Sequence, residues 1–181
     1  TESKLGNPAL EAYCKKHKHE DMHRALAWSI AVNDSVSEFV HDVPPFPKVK
    51  ESLVKAGKSA DLVVCSATPH EALSREWEEH DIAQHVFAIA GQEQGKKAEH
   101  IEQAAGGKYE PDRILMIGDA PGDLAAAKAN EALFFPIMPG EEEASWVRFH
   151  DEALEKFLSG AYAGTYEADL IVEFERALPD T

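Results

Sequence analysis

The segment Ile117-Gly118-Asp119-Ala120-Pro121-Gly122-Asp123 ends an apolar run in a glycine and a carboxylate, then brings a second carboxylate as a helix begins. Hard oxygen donors gathered at one strand end suit Mg²⁺, which proteins commonly hold through one or two carboxylates while phosphate and water complete the octahedron. Asp119 and Asp123 are therefore candidate metal ligands. The same spacing also describes a turn aspartate followed by a helix N-cap aspartate, a purely structural pairing.

Two further positions could act on a phosphoryl group. Ser66 closes the apolar run Asp61-Leu62-Val63-Val64-Cys65-Ser66, where its hydroxyl and the backbone amides of the following turn, beginning at Ala67, could hold a phosphoryl oxygen. A serine at that place is also ordinary turn chemistry. Lys96 and Lys97 follow Gly91-Gln92-Glu93-Gln94-Gly95 and precede a helical stretch. A cation there could offset the crowded carboxylates and the charge of a transferred phosphoryl group, although paired lysines in an acidic chain also serve as solvated surface.

The elements that must position these residues are legible in the periodicity. Asn7-Pro8 predicts an N-cap with proline at the first helical position, opening a helix through Tyr13 and Cys14. Leu26, Ile30, Ala31, Val36, Phe39 and Val40 recur at helical spacing after Asp21, so residues 1–43 read as a small helical unit. Val43-Pro44-Pro45-Phe46-Pro47 breaks that pattern. A helix over 47–56 stopping at Gly57, the strand ending in Ser66, and a capping box at Thr68-Pro69-His70-Glu71 are predicted next. Strands follow over 86–89, 113–117 and 132–135, with helices over 97–105 and near Asp123. Strands alternating with helices imply a parallel sheet covered on both faces, with ligands beyond the C-terminal strand ends. Trp146, Phe149, Ala153 and Phe157, then Leu170, Ile171, Phe174 and Leu178, form helical stripes that read as packing.

The order Ser66, Lys96 or Lys97, then Gly118-Asp119 with Asp123, resembles the second, third and fourth motifs of haloacid dehalogenase (HAD) hydrolases, over about residues 45–137. The resemblance implies a Rossmann-like α/β core over 44–181, with C-terminal helices, and a partial helical cap over 1–43 of the phosphoglycolate-phosphatase type. It further implies a Mg²⁺-dependent phosphatase of a small phosphorylated metabolite, working through an aspartyl-phosphate. Ser66 would then bond the phosphoryl group, and Lys97, or failing it Lys96, would stabilise the intermediate. Asp119 would bind Mg²⁺, with Asp123 either a second ligand or the group that orients the lysine and a metal-bound water. The family's first motif, a strand ending in DxDx(T/V), has no match, since Asp21, Asp34 and Asp42 lack both strand and partner. Its strand would lie between those ending in Ser66 and Asp119, so its absence should leave an apolar gap with unpaired backbone groups. The chain opens at Thr1, and the expectation is that the natural protein extends further upstream and that residues 1–181 alone are inactive.

Composition narrows the alternatives. The 181 residues are 44% hydrophobic, enough to bury a core of ordinary size. With 33 acidic against 18 basic side chains the net charge is -15, which disfavours nucleic acid and anionic membranes as partners. Two cysteines, Cys14 and Cys65, give no disulfide framework, and no membrane-length run or secretory signal is present, so a cytoplasmic location is expected. The cluster Lys15-Lys16-His17-Lys18-His19 reads as a solvated helix end, and His70, His80, His85 and His100 lack zinc-type spacing with cysteine. A dehalogenase would not need the Asp119–Asp123 pair, while phosphonate cleavage and sugar-phosphate mutase chemistry stay open. The rival of another class is a noncatalytic HAD-like module for metal binding or protein interaction. Substrate identity and oligomeric state are not encoded in any single residue.

Overall fold

The structure, a computed structural model, describes residues 6–39 and 42–178. Helices α1 (Asn7–Lys16) and α2 (Glu20–Phe39) pack on each other as a hairpin. Gly6, at φ 105°, rather than Asn7, is the residue that precedes the first helical turn; Asn7 instead accepts a 2.7 Å hydrogen bond from Ser29 of α2 through its side chain. The apolar face of α2 is largely open: Ile30, Val36 and Phe39 are exposed, Phe39 by 74%, and Trp28 by 70%. Helical spacing alone could not say whether a partner for that face lies within these residues. Val40 lies outside the described residues.

The remainder alternates strand and helix, in the order α3 (Val49–Ala56), β1 (Val63–Cys65), α4 (His70–Glu79), β2 (Ala88–Ala90), α5 (Lys97–Ala105), β3 (Leu115–Gly118), α6 (Pro121–Ala129) and β4 (Leu133–Pro136). All pairing is parallel, as the connecting helices require. The strands nevertheless fall into two separate pairs: β1 with β2, Val64 opposite Ile89, and β3 with β4, Met116 opposite Phe134. Helix α5 bridges them, packing on β1 and on α6. The apolar gap expected between the strands ending near Ser66 and Asp119 is thus present, as a cavity of about 480 Å³ with walls from β1 and β3.

Three C-terminal helices, α7 (Glu142–Arg148), α8 (Leu154–Ser159) and α9 (Thr165–Ala177), close the core. A single π-helical turn, Phe149–Ala153, joins α7 to α8. Both predicted stripes are packing: Phe149, Ala153, Leu154 and Leu170 join Leu133 and Phe135 in one cluster, while Phe174 meets Phe134 edge-on at 5.6 Å in another. Phe134 and Phe135 are essentially inaccessible, and burial of such side chains contributes about 1.5–3 kcal/mol each relative to exposure. Tyr162, also fully buried, satisfies its hydroxyl by donating to the Phe134 carbonyl at 2.7 Å. β4 is consequently the best anchored strand, and it holds β3 in register.

Candidate active site

β3 ends at Gly118, and α6 starts with Pro121 at its first position. Proline tolerates that place because its missing N–H has no helical partner there. Asp123 sits at the third position of α6 and caps its own helix: Oδ2 accepts from the backbone N–H of Asp119 at 3.2 Å and of Ala120 at 3.1 Å. The side chain is 1% exposed and lies against Gly118 so closely that a Cβ there would overlap its Cβ. Glycine at 118 is therefore a packing requirement of the strand end. Ala120, not Asp123, is the N-cap; Asp123 caps the helix from its third position, and the residue does more besides.

Its other oxygen, Oδ1, accepts from Lys97 Nζ, so the first residue of α5 is ion-paired to the first turn of α6. Of the adjacent lysines only Lys97 makes this contact. Lys96 precedes the helix, exposed, and its backbone N–H donates to Glu99 Oε2 at 2.8 Å in a capping box. A buried carboxylate held by two amides and an ammonium group is satisfied on every side.

Asp119 differs from Asp123 in each respect. It is exposed, and its carboxylate has no hydrogen bond or ion pair with the described residues. The two carboxylates thus divide the work at one strand end, one locked into the scaffold and one free to take a ligand. The donor set fits a hard cation in part, through Asp119; among the described residues no group of three or more His, Cys, Asp and Glu side chains is placed to hold a metal.

On the other side of the cavity, β1 delivers Ser66, half-buried, whose N–H donates to the Ala90 carbonyl at 2.9 Å. Its Oγ accepts from the Thr68 N–H at 3.1 Å, forming a tight turn that leaves Ala67 exposed. The predicted capping box at Thr68 does not form, because Thr68 is engaged in this turn. Pro69 precedes α4, and Glu93 reaches across to accept from the His70 N–H at 3.0 Å. Gln94 similarly accepts from the Gly91 N–H at 2.6 Å, and the Gln92 N–H donates to Thr68 O at 3.0 Å. The turn after β2 therefore braces the turn after β1 through Glu93 and the Gln92 amide, a positioning role that residue spacing did not reveal, while Gln94 caps its own turn. The glycines at 91 and 95 bracketing that turn were the available signal; a Cβ at Gly91 would strike the His70 backbone.

Cys65, next to Ser66, ties the two halves together electrostatically. Burial pushes its thiol above the ordinary value, Lys97 pulls it down, and Asp123 pushes it up again. Cys65 and the Lys97–Asp123 pair therefore sit within electrostatic reach of one another. The lysine-histidine cluster at residues 15–19 is exposed, as expected of a solvated helix end. No helix among the described residues is long and apolar enough to cross a membrane.

The chain is thus a parallel α/β core with a strand-end serine, a lysine at a helix start and a Gly-Asp strand end followed by a buried aspartate. The family described as haloacid dehalogenase-like hydrolase matches residues 2–135, and the chain belongs to that family. No curated protein and no solved structure matches it.

Proposed function

We propose that this chain carries the phosphate- and metal-handling half of a Mg²⁺-dependent phosphatase acting on a small phosphorylated metabolite. The observation that carries the reading is the division of labour at the end of β3: Asp123 buried against Lys97, and Asp119 exposed with its carboxylate free of partners among the described residues. Asp119 would hold the cation, which neutralises phosphoryl charge when bound. Asp123 positions Lys97 rather than adding an open ligand. Lys97, 28% exposed, retains donor capacity to stabilise a phosphoryl oxygen, and Ser66 with the amide of Ala67 would hold another. In the proposed reaction an aspartate oxygen attacks phosphorus, the ester P–O bond breaks, and the departing oxygen takes a proton from solvent water as the alcohol leaves. Water then attacks phosphorus, the P–O bond to the aspartate breaks, and phosphate and a proton are released to solvent with the carboxylate restored. The attacking aspartate would come from a strand outside these residues, since among the described residues no strand precedes β1.

The α1–α2 hairpin fits a partial cap over 1–43 beside a core over 44–181, and a cytoplasmic setting suits the free thiols Cys14 and Cys65. The second reading is a noncatalytic metal-binding or protein-interaction module, whose interaction form is favoured by the exposed Trp28 and Phe39 of α2. A p-nitrophenyl phosphate assay separates outcomes. Residues 1–181 alone should show no Mg²⁺-dependent turnover, whereas a protein that also contains the nucleophile strand should turn over and lose activity on Asp119→Asn. Full turnover by residues 1–181 alone would refute the division proposed here.

A further inference from the structure

Four of the chain's 18 basic residues, Lys48, Lys50, Lys55 and Lys58, fall within residues 48–58, on α3 or just beside it. In a chain of net charge -15 this cluster is a local reversal of sign. It borders an open groove of about 610 Å³ between α3 and the π-helical turn, lined by Lys50, Glu51, Val54, Lys55, Lys58 and His150. None of Ser66, Lys97, Asp119 and Asp123 lines it.

The nearby acids are engaged elsewhere. Glu51 lies 3.8 Å from Lys48, and Asp151 lies 2.6 Å from His150 Nδ1. The bond to His150 holds the Asp151 carboxyl below the ordinary range, and the charges of Lys48 and Lys55 add to that. Among the described residues Lys50, Lys55 and Lys58 have no carboxylate within ion-pair distance. Lys55 Nζ instead donates to the His150 carbonyl at 3.0 Å, which fixes one ammonium group on the π-helical turn. Val54, 42% exposed, sits one helical turn from Lys50 and adds an apolar element to the lining. Lys50 and Lys55 are separated by about 7.5 Å along the helix axis, so an anion that meets both must spread its charge over a similar length.

We propose that this groove binds a free oligophosphate, a small anion with two or more linked phosphate groups, at a site separate from the end of β3. Ammonium groups are compact point charges that suit the dense charge of tetrahedral phosphate, whereas planar carboxylates are matched by the guanidinium fork, which the lining lacks. The volume falls in the range of small-molecule sites, about 300–1,000 Å³. Six lining residues fall well short of the roughly 20–30 per side of a stable protein interface. The negative charge of the chain as a whole opposes membranes and nucleic acid, which leaves a small free anion as the ligand. Lys50 and Lys58 would each meet a phosphate group, with Lys55 held in place by the π-helical turn. The site stands on this groove alone and does not rest on the phosphatase reading.

The test is an NMR titration of residues 1–181 with inorganic triphosphate in the absence of divalent cations, with citrate as the carboxylate control. Triphosphate should bind saturably, with shifts at Lys50, Val54, Lys55, Lys58 and His150, and citrate should bind more weakly. The double variant Lys50→Gln/Lys58→Gln should lose about tenfold in affinity, the sum of two exposed charge contacts. Its unfolding midpoint should not move, since both side chains are exposed. Asp119→Asn should bind triphosphate as the parent does, so a failed phosphatase assay leaves this result intact. No saturable binding, equal binding of citrate, or equal affinity in the double variant would overturn the proposal. Co-sedimentation with phosphatidylcholine vesicles containing phosphatidylserine, without binding of free triphosphate, would assign the cluster to a lipid surface and overturn it too.

Discussion

Lys97 Nζ and Asp123 Oδ1 are ion-paired across the starts of two helices, and Asp123 is 1% exposed while Lys97 retains 28%. This pair joins α5, which packs on β1, to α6, which packs on β3, so one contact couples the two halves of a divided sheet.

Removing the buried partner should be costly. Asp123→Ala strips Lys97 of its counter-charge and leaves the amides of Asp119 and Ala120 without an acceptor. A loss of about 3 kcal/mol is expected in urea unfolding, and less for Asp123→Asn, which keeps an acceptor oxygen. Equal losses for the two variants would show that the amide bonds are unimportant.

Gly118→Ala should disturb the same place by crowding. The added Cβ overlaps Asp123 Cβ, and relief requires the strand end or α6 to shift. A destabilisation of about 1–3 kcal/mol is expected. Gly122→Ala, in the same motif but with open space around the added Cβ, should be tolerated. Unfolding midpoints of the two variants measured side by side check the difference.

Glu167 provides the pH dependence. Burial raises its carboxyl above the ordinary 4.5, and the Phe134 N–H, which it accepts at 2.8 Å, only partly offsets that. A raised folded value means the contribution of Glu167 is complete below pH 4.5 and is lost as pH rises through the raised value. Glu167→Gln, which keeps an acceptor for Phe134, should therefore raise the melting temperature at pH 7 and change it little at pH 4. The opposite order would reverse the assigned direction.

Much of this was legible in the sequence because it depends on local pattern. The alternating elements, the Gly118-Asp119 strand end, the helix beginning at Lys97 and the C-terminal packing stripes follow from periodicity and turn chemistry. The expected apolar gap came from the family resemblance rather than from spacing, and the divided sheet has it. The choice between Lys96 and Lys97 needed three dimensions, since adjacent residues at a helix start point in different directions and only Lys97 meets Asp123. The Glu93 brace depends on a contact with distant backbone, which no residue spacing encodes. The open face of α2 was not legible for a related reason: amphipathic spacing shows which side could pack but not what lies against it.

The most direct test of the central claim is a backbone-amide NMR titration of residues 1–181 with inorganic phosphate, with and without Mg²⁺. Saturable, Mg²⁺-dependent shifts at Ser66, Ala67, Lys97 and Asp119, lost in Asp119→Asn, are the predicted result. Shifts that ignore Mg²⁺, or that fall away from these residues, would contradict the assignment of this strand end to phosphate and metal handling.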